Sequence, residues 1–222
     1  MGTQLELTAR DGHKLAAYQA APVGTPRGAV VVIQEIFGVN PHIQSVADGY
    51  AADGYLAIAP AIYDRAQRGV SLGYTQPDMQ QGFALKGAMV DDDVMKDVQA
   101  AVDAVKHAGK VGIVGYCYGG YVSWLSAARV QGLAAAAPYY GGGVTGKIDE
   151  QPKCPVMLHF GERDSYIPLE GVEALKAKHP TQTVHIYAAD HGFNCDARGS
   201  YDATAATLAR ERTLVFFRTH LG

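Results

Sequence analysis

Residues 111–120 read VGIVGYCYGG, an apolar run that ends in a turn carrying Cys117. A buried strand followed by the spacing G-x-nucleophile-x-G predicts a tight turn into a helix, with the nucleophile exposed at the turn. The small residues Gly115 and Gly119 allow the nucleophile a strained backbone conformation, and the helix N-terminus stabilises negative charge beside it. Taken alone, Cys117 is also compatible with a buried, inert thiol. The stretch therefore predicts an α/β fold and makes Cys117 a candidate nucleophile that needs partners.

Two later loops supply those partners in the order nucleophile, acid, base. Asp164 closes the sequence GERD directly after an apolar run, and His191 follows the next apolar run along the chain. Since open α/β sheets assemble their sites at the carboxyl ends of strands, the two side chains are expected to meet. A neutral His191 would accept the thiol proton, while Asp164 would fix its tautomer and stabilise the imidazolium. The competing acids are Glu162, which lies closer to the strand, and Asp190, which adjoins the base.

The remaining histidines offer no comparable placement. His159 and His185 lie inside predicted strands and are interpreted as core or face residues, and no pair has the spacing of a zinc site. The other five are interpreted as surface residues: His13, His42, His107, His179 and His220. His191 is therefore the predicted base.

An oxyanion hole requires backbone N–H groups aimed at the oxygen on which negative charge develops. One donor is predicted to be Tyr118, the residue after the nucleophile, and the other Ile36, in the loop that follows the apolar run 29–34. The same loop carries Glu35 at the end of the predicted strand. A carboxylate in that position is costly unless something uses it, so Glu35 is predicted to be functional.

Short apolar runs alternate with longer amphipathic stretches along residues 1–222, which predicts a single α/β domain with helices on both faces of a mostly parallel sheet. The chain order of the candidate residues is that of the α/β-hydrolase fold. Two strands are expected to form an opening hairpin, and six more follow. The predicted strands are residues 4–7, 14–18, 29–34, 55–59, 111–115, 134–140, 156–160 and 183–187.

Two helices and one irregular segment complete this prediction. Residues 91–93 (DDD) precede a helical pattern, where their carboxylates complement the helix dipole and are interpreted as a first turn in preference to a metal site. A last helix is predicted over residues 200–219, with Ser200 as its N-cap. Residues 63–90 show weak periodicity and are interpreted as a lid or excursion over the sheet, where substrate specificity would lie.

The composition excludes several classes of protein. With 19 Lys and Arg against 22 Asp and Glu, and no basic stripe, we expect no nucleic-acid partner. The three cysteines, Cys117, Cys154 and Cys195, are widely spaced, so neither a disulfide framework nor a zinc pattern is predicted. The uncharged residues 111–128 contain four glycines and are a poor membrane span. The first residues lack a secretion signal, which predicts a cytoplasmic location.

The chain resembles a dienelactone hydrolase (carboxymethylenebutenolidase), a cysteine-dependent branch of the α/β-hydrolases. The resemblance covers nearly the whole sequence and implies that Cys117, Asp164 and His191 form a triad. It also implies that Glu35 contacts the thiol at rest and moves when substrate binds, and that neither a metal nor an organic cofactor takes part. The motifs that carry it are 34–40 (QEIFGVN), 115–120 (GYCYGG), 161–164 (GERD) and 191–193 (HGF).

The implied substrate is a small enol-lactone such as 4-carboxymethylenebut-2-en-4-olide, opened to maleylacetate through an acyl-enzyme during the degradation of aromatic compounds. Members of the family hold the substrate carboxylate with arginines, but this chain has Asn194 after the HGF motif and no arginine in residues 76–86. Arg198 is the preferred substitute, ahead of Arg65 and Arg68. Further substrate contacts are expected from two aromatic residues, Phe37 and Phe193.

Two alternatives stay open at this point. The first is a hydrolase of another activated ester or lactone on the same fold. The second is a protein without hydrolase activity: a binding or sensor protein, or a thiol redox protein that uses Cys117 with Cys154 or Cys195. A monomer is expected in each case.

Overall fold

The computed structural model describes residues 2–222, which form an eight-stranded sheet covered by helices. The strands are β1 (Thr3–Thr8), β2 (Lys14–Ala20), β3 (Ala29–Ile33), β4 (Leu56–Pro60), β5 (Val111–Tyr116), β6 (Leu133–Tyr139), β7 (Met157–Gly161) and β8 (Thr183–Tyr187). The helices are α1 (Pro41–Ala52), α2 (Gln76–Gly87), α3 (Asp91–Val105), α4 (Tyr118–Arg129), α5 (Leu169–Lys178) and α6 (Ala203–Leu221).

The sheet is mostly parallel, as predicted. Its strand order is β1-β2-β4-β3-β5-β6-β7-β8, and only the pairs β1–β2 and β2–β4 are antiparallel. Every residue of β3 and of β5 is buried, because helices cover both faces of the central strands. The α/β fold class is therefore confirmed, and each predicted strand lies within about two residues of an observed one.

The start of the last helix differs from the prediction. The predicted cap, Ser200, lies in a turn, and α6 begins at Ala203. Asp202 caps this helix, since its side chain accepts a hydrogen bond from the backbone N–H of Ala205 at 2.9 Å. An ionised carboxylate is at least as good a cap as a hydroxyl and also complements the helix dipole, which explains the later start.

Residues 63–90, interpreted as an excursion, contain the regular helix α2. Thr75 and Asp78 form a reciprocal capping box at its start, with the Thr75 hydroxyl donating to the Asp78 carboxylate at 2.6 Å. Gly82 packs against the backbone of Ile36, where any side chain would collide with the carbonyl oxygen. The helix is thereby fixed over the loop that follows β3.

The acidic residues 91–93 form the first turn of α3, as predicted. Each of the three makes an ion pair with a different cation. These pairs are Asp91 with Lys147 at 3.6 Å, Asp92 with Arg129 at 3.3 Å and Asp93 with Lys96 at 2.6 Å.

Across residues 2–222, no helix combines the length and the apolar composition that crossing a bilayer requires.

Replacing Gly119 by alanine is expected to destabilise the fold. A Cβ atom there would lie 2.3 Å from the carbonyl oxygen of Ile33 and 2.6 Å from that of Gln34. Backbone of a central strand cannot move aside cheaply, so we expect a loss of at least about 2 kcal/mol in the free energy of unfolding. Gly87→Ala is the matched control, because a Cβ there meets nothing within 4 Å. Urea denaturation with equal midpoints for the two variants would contradict this account.

Candidate active site

Cys117 lies at the turn between β5 and α4, with φ 55° and ψ −111°. Positive φ is strained for a residue with a Cβ atom, and the surrounding backbone holds it in place. The N–H of Cys117 donates to the carbonyl of Tyr139 at 3.1 Å, and its carbonyl accepts from the N–H of Gly120 at 3.0 Å. The side chain is partly exposed and lies at the N-terminus of α4, where the helix dipole favours a negative charge.

Asp164 and His191 meet at the carboxyl edge of the sheet, after β7 and β8 respectively. Asp164 Oδ2 and His191 Nδ1 are 2.7 Å apart, and both residues are buried. The other carboxylate oxygen of Asp164 accepts from the N–H of Tyr166 at 2.9 Å. The rings of Tyr140 and Tyr166 pack against the imidazole edge-on, each with its centroid 5.2 Å away. These contacts fix the orientation of the ring. Its Nε2 atom remains for a reacting group in the cavity that His191 lines.

The environment of His191 favours its charged form. Burial opposes the charge, but the hydrogen bond of the ring to Asp164 and the nearby Cys117 outweigh it and raise the pKa of His191 to about 10. An imidazolium is thus stabilised between a carboxylate and the thiol group. This arrangement suits proton transfer from Cys117 to His191.

Cys117 and His191 share one cavity with Arg198. Its other lining residues are mostly apolar: Ile36, Phe37, Met79, Phe83, Lys86, Gly142 and Tyr166. The residues contributed by α2, which are Met79, Phe83 and Lys86, form one wall. Residues 63–90 therefore contribute to the candidate substrate site, and sequence reasoning did not single out which of their side chains would do so.

Ile36 and Tyr118, the predicted oxyanion-hole donors, both lie close to Cys117 in the fold or along the chain. Ile36 lines the cavity, and Tyr118 is the first residue of α4, directly after Cys117. Among the hydrogen bonds of residues 2–222, neither backbone N–H has an acceptor. First-turn amides have no partner within their own helix, so Tyr118 has a donor to offer. The role of both amides stays a prediction.

Glu35 is buried, with 1% of its surface exposed, and it pairs with Arg198. Its Oε1 atom accepts from Arg198 Nη1 at 3.1 Å, while its Oε2 atom has no hydrogen-bond partner. The carboxylate therefore does not hydrogen-bond to the thiol of Cys117 in this structure, unlike the resting contact that the resemblance implies. A charged guanidinium is a far stronger donor than a thiol, which explains the difference.

The candidate substrate contacts have different outcomes. Arg198 and Phe37 both line the cavity, and the Arg198 guanidinium lies 5.9 Å from the centroid of the Phe37 ring. The prediction that Phe193 contacts substrate is wrong, because this residue is fully buried and does not line the cavity. Gly192 turns the chain with φ 79°, and the Phe193 ring then packs inward against a cluster of tyrosines, Tyr139, Tyr140 and Tyr187.

The alternative arginines are held elsewhere. Both guanidinium nitrogens of Arg65 that face Asp97 donate to its carboxylate at 2.7 Å, and Arg68 donates to the carbonyl of Lys14 at 2.5 Å. Neither residue lines the cavity that contains Cys117. Of the arginines considered from sequence, Arg198 alone lines that cavity.

The other two cysteines and His159 are buried in the protein interior. All three cysteines are free, and burial raises the pKa of Cys195 to about 12 and that of Cys154 to about 11. His159 is a core residue, as predicted: Tyr187 and Thr213 hydrogen-bond to its two ring nitrogens, and burial lowers its pKa well below the usual range. These residues are poor candidates for nucleophile and base.

A strained cysteine between a strand and a helix, with a histidine–carboxylate pair from the last two strands, defines an α/β-hydrolase. The chain belongs to the dienelactone hydrolase family, whose family model matches residues 15–221. A carboxymethylenebutenolidase from Pseudomonas putida is 32% identical over 223 residues, which cover 96% of this chain and 94% of the relative. The family and its carboxymethylenebutenolidases make the chain a hydrolase of ester or lactone bonds.

Solved structures agree with this assignment. A Klebsiella pneumoniae protein that carries a provisional dienelactone hydrolase name superposes with a TM-score of 0.85 at 30% identity, covering 99% of this chain and 100% of that one. An esterase from Pyrococcus furiosus gives a TM-score of 0.73 at 17% identity, covering 100% of this chain and 93% of that one. The second likeness is one of fold.

Proposed function

We propose that the chain hydrolyses dienelactone-type enol-lactones, converting 4-carboxymethylenebut-2-en-4-olide to maleylacetate, with Cys117 as nucleophile. The observation that carries this proposal is one cavity that holds Cys117, Arg198 and His191, with His191 paired to Asp164 at 2.7 Å. A nucleophile, a base and a cation in one small apolar site match a lactone that bears a carboxylate. We further propose that the enzyme is a cytoplasmic monomer that needs no cofactor.

In the proposed mechanism, His191 accepts the thiol proton and the Cys117 sulfur attacks the lactone carbonyl. The developing oxyanion accepts hydrogen bonds from the N–H groups of Ile36 and Tyr118. Collapse of this intermediate breaks the ring C–O bond and forms a thioester, and the released enolate takes the proton from His191 and tautomerises to the ketone. Since an enolate is a good leaving group, a weakly basic thiolate suffices as nucleophile. The neutral His191 then accepts a proton from the water molecule that attacks the thioester. It returns this proton to the Cys117 sulfur as the acid product leaves.

Arg198 is the proposed partner of the substrate carboxylate. A guanidinium carries five N–H donors, and the observed contact with Glu35 uses one of them. The charge of Arg198 is therefore available to a ligand in the cavity without breaking its pair with Glu35. Lys86, on the wall that α2 contributes, adds a second cation to the same cavity.

Steady-state hydrolysis of the dienelactone and of p-nitrophenyl acetate tests the proposed substrate. The lactone is expected to have the larger kcat/KM, because only it presents a carboxylate to Arg198. Fast hydrolysis of the neutral ester without lactone turnover would contradict the lactone assignment and favour another activated ester as substrate. Absence of hydrolysis of either compound would favour a non-catalytic binding role.

Replacing Arg198 by methionine is expected to raise KM for the lactone by about 10- to 100-fold, which is the value of a charge-assisted pair. KM for p-nitrophenyl acetate should change little. Because this variant leaves Glu35 buried without its partner, the double variant Glu35→Gln, Arg198→Met is measured alongside. Arg68→Met is the matched control, since Arg68 lies outside the cavity. Equal KM values for the lactone in wild type and both Arg198 variants would rule out this contact.

A further inference from the structure

The structure brings together three side chains of types that can ligate metals, beside the proposed active site. A carboxylate oxygen of Glu35, a ring nitrogen of His42 and the sulfur of Cys195 all lie within 4.8 Å of one another. Ligand atoms around one tetrahedral zinc ion lie roughly 3.3 to 3.7 Å apart, so the widest pair would have to close by little more than about 1 Å. Side-chain rotation alone can supply a shift of that size.

Two of these side chains have buried atoms without partners. Within residues 2–222, Glu35 Oε2 and His42 Nε2 are both inaccessible to solvent and make no hydrogen bond. Leaving a buried carboxylate oxygen or imidazole nitrogen unpaired is costly. Glu35 uses only Oε1 for Arg198, so Oε2 is available to a cation without loss of that ion pair. An ion bound between these atoms would satisfy both of them at once.

The surroundings of His42 resemble those of metal-binding histidines. The Nδ1 atom of His42 lies 3.2 Å from Asp196 Oδ1, which favours the tautomer with the proton on Nδ1 and a lone pair on Nε2. His42 lies in the first turn of α1, which Asn40 caps by accepting from the N–H of Ile43 at 3.2 Å. The histidine is therefore held in place from its backbone and from its far ring nitrogen.

The surroundings of Cys195 also suit a metal ligand. Its sulfur lies 3.2 Å from the Tyr74 hydroxyl, which also accepts from Asn40 Nδ2 at 3.1 Å. When the thiol gives up its proton to a metal, the Tyr74 hydroxyl can turn and donate to the sulfur. The same Asn40 side chain thus supports both the helix that carries His42 and the tyrosine that contacts Cys195.

We propose that Glu35, His42 and Cys195 form a binding site for a divalent transition-metal ion of the Zn²⁺ type. Sulfur, nitrogen and oxygen donors together suit zinc and its neighbours better than the hard ions Mg²⁺ and Ca²⁺. Charges balance on binding: the Glu35 carboxylate and the Cys195 thiolate neutralise the dication, while Asp196 offsets Arg198. His42 and Asp196 also line a surface cleft, so the proposed site lies next to solvent on this side.

Titration of the chelator-treated, reduced protein with Co²⁺ tests this site, and hydrolysis is not part of the readout. We expect roughly one ion per chain and a thiolate-to-cobalt charge-transfer band, both displaced by Zn²⁺. Cys195→Ser should remove the band, and His42→Gln should weaken binding. Asp196→Asn should weaken it by about 10-fold, the usual effect of losing the group behind a metal-binding histidine.

Cys117→Ser and Cys154→Ser are the matched controls and should keep the charge-transfer band. Thermal unfolding of each metal-free variant shows whether it is folded. The proposal is overturned if wild-type protein binds no cobalt or gives no thiolate band, or if the band survives Cys195→Ser and is lost with Cys117→Ser. The last result would place the ion at the candidate triad. Failure of lactone hydrolysis leaves each of these outcomes unaffected.

Discussion

Cys117→Ala is expected to lower kcat for the lactone by at least about 10⁵-fold, the scale seen when the nucleophile of a triad is removed. The reason is that no covalent acyl-enzyme can form, while the cavity and the proposed oxyanion donors remain. Since both residues have a Cβ atom at φ 55°, the strain of the turn is unchanged and the variant should fold. Steady-state assays measure the effect. The concentration of active sites is determined from the quantitative binding of a lactone analogue.

Cys154→Ala is the matched control for that experiment, because it removes a different thiol, which is buried and does not line the cavity. It should leave kcat within about twofold of wild type. Retention of lactone hydrolysis by Cys117→Ala would contradict the proposed nucleophile and direct attention to another side chain in the cavity.

Asp164→Asn is expected to lower kcat by about 10⁴-fold with little change in KM, because the imidazolium loses its stabilising carboxylate and its preferred tautomer. The hydrogen bond that the His191 ring donates to Asp164 is one of the contacts that raise the pKa of His191 to about 10. The variant should therefore also lower the pKa of His191, which NMR titration of the ring measures. A purely structural role for Asp164 would not predict that shift.

Glu162→Gln is the control for this second prediction, since Glu162 is the exposed acid that competes with Asp164 in the sequence. It should change kcat by no more than about twofold and leave the titration of His191 as in wild type. If Glu162→Gln instead reproduced the loss, the carboxylate that orients His191 would have been misassigned.

The strands and the candidate triad could be predicted because both depend on local patterns. Central strands that are buried on both faces, such as β3 and β5, are continuous apolar runs. The loops after parallel strands converge at one edge, so Asp164 and His191 were expected to meet, and their hydrogen bond confirms that they do.

Side-chain direction could not be predicted in the same way. Phe193 follows the HGF pattern beside the base, yet Gly192 turns the chain so that its ring points into the core. His42 was interpreted as a surface residue, but only 8% of its side chain surface is exposed. Its approach to Glu35 and Cys195 depends on how α1 packs against a loop more than 150 positions later. Spacing along the chain carries no signal for such a contact.

The sheet order has a consequence for how the protein acquires its activity. The cavity residues come from segments after β3, β5, β6, β7 and β8 and from α2, which are separated by long crossovers. Parallel pairing forms late, because each crossover must close before its strands can gain contacts. No fragment that lacks one of these strands can hold the complete set of groups. Recovery of hydrolysis during refolding should therefore follow the slowest step of sheet formation and would serve as a kinetic marker for its completion.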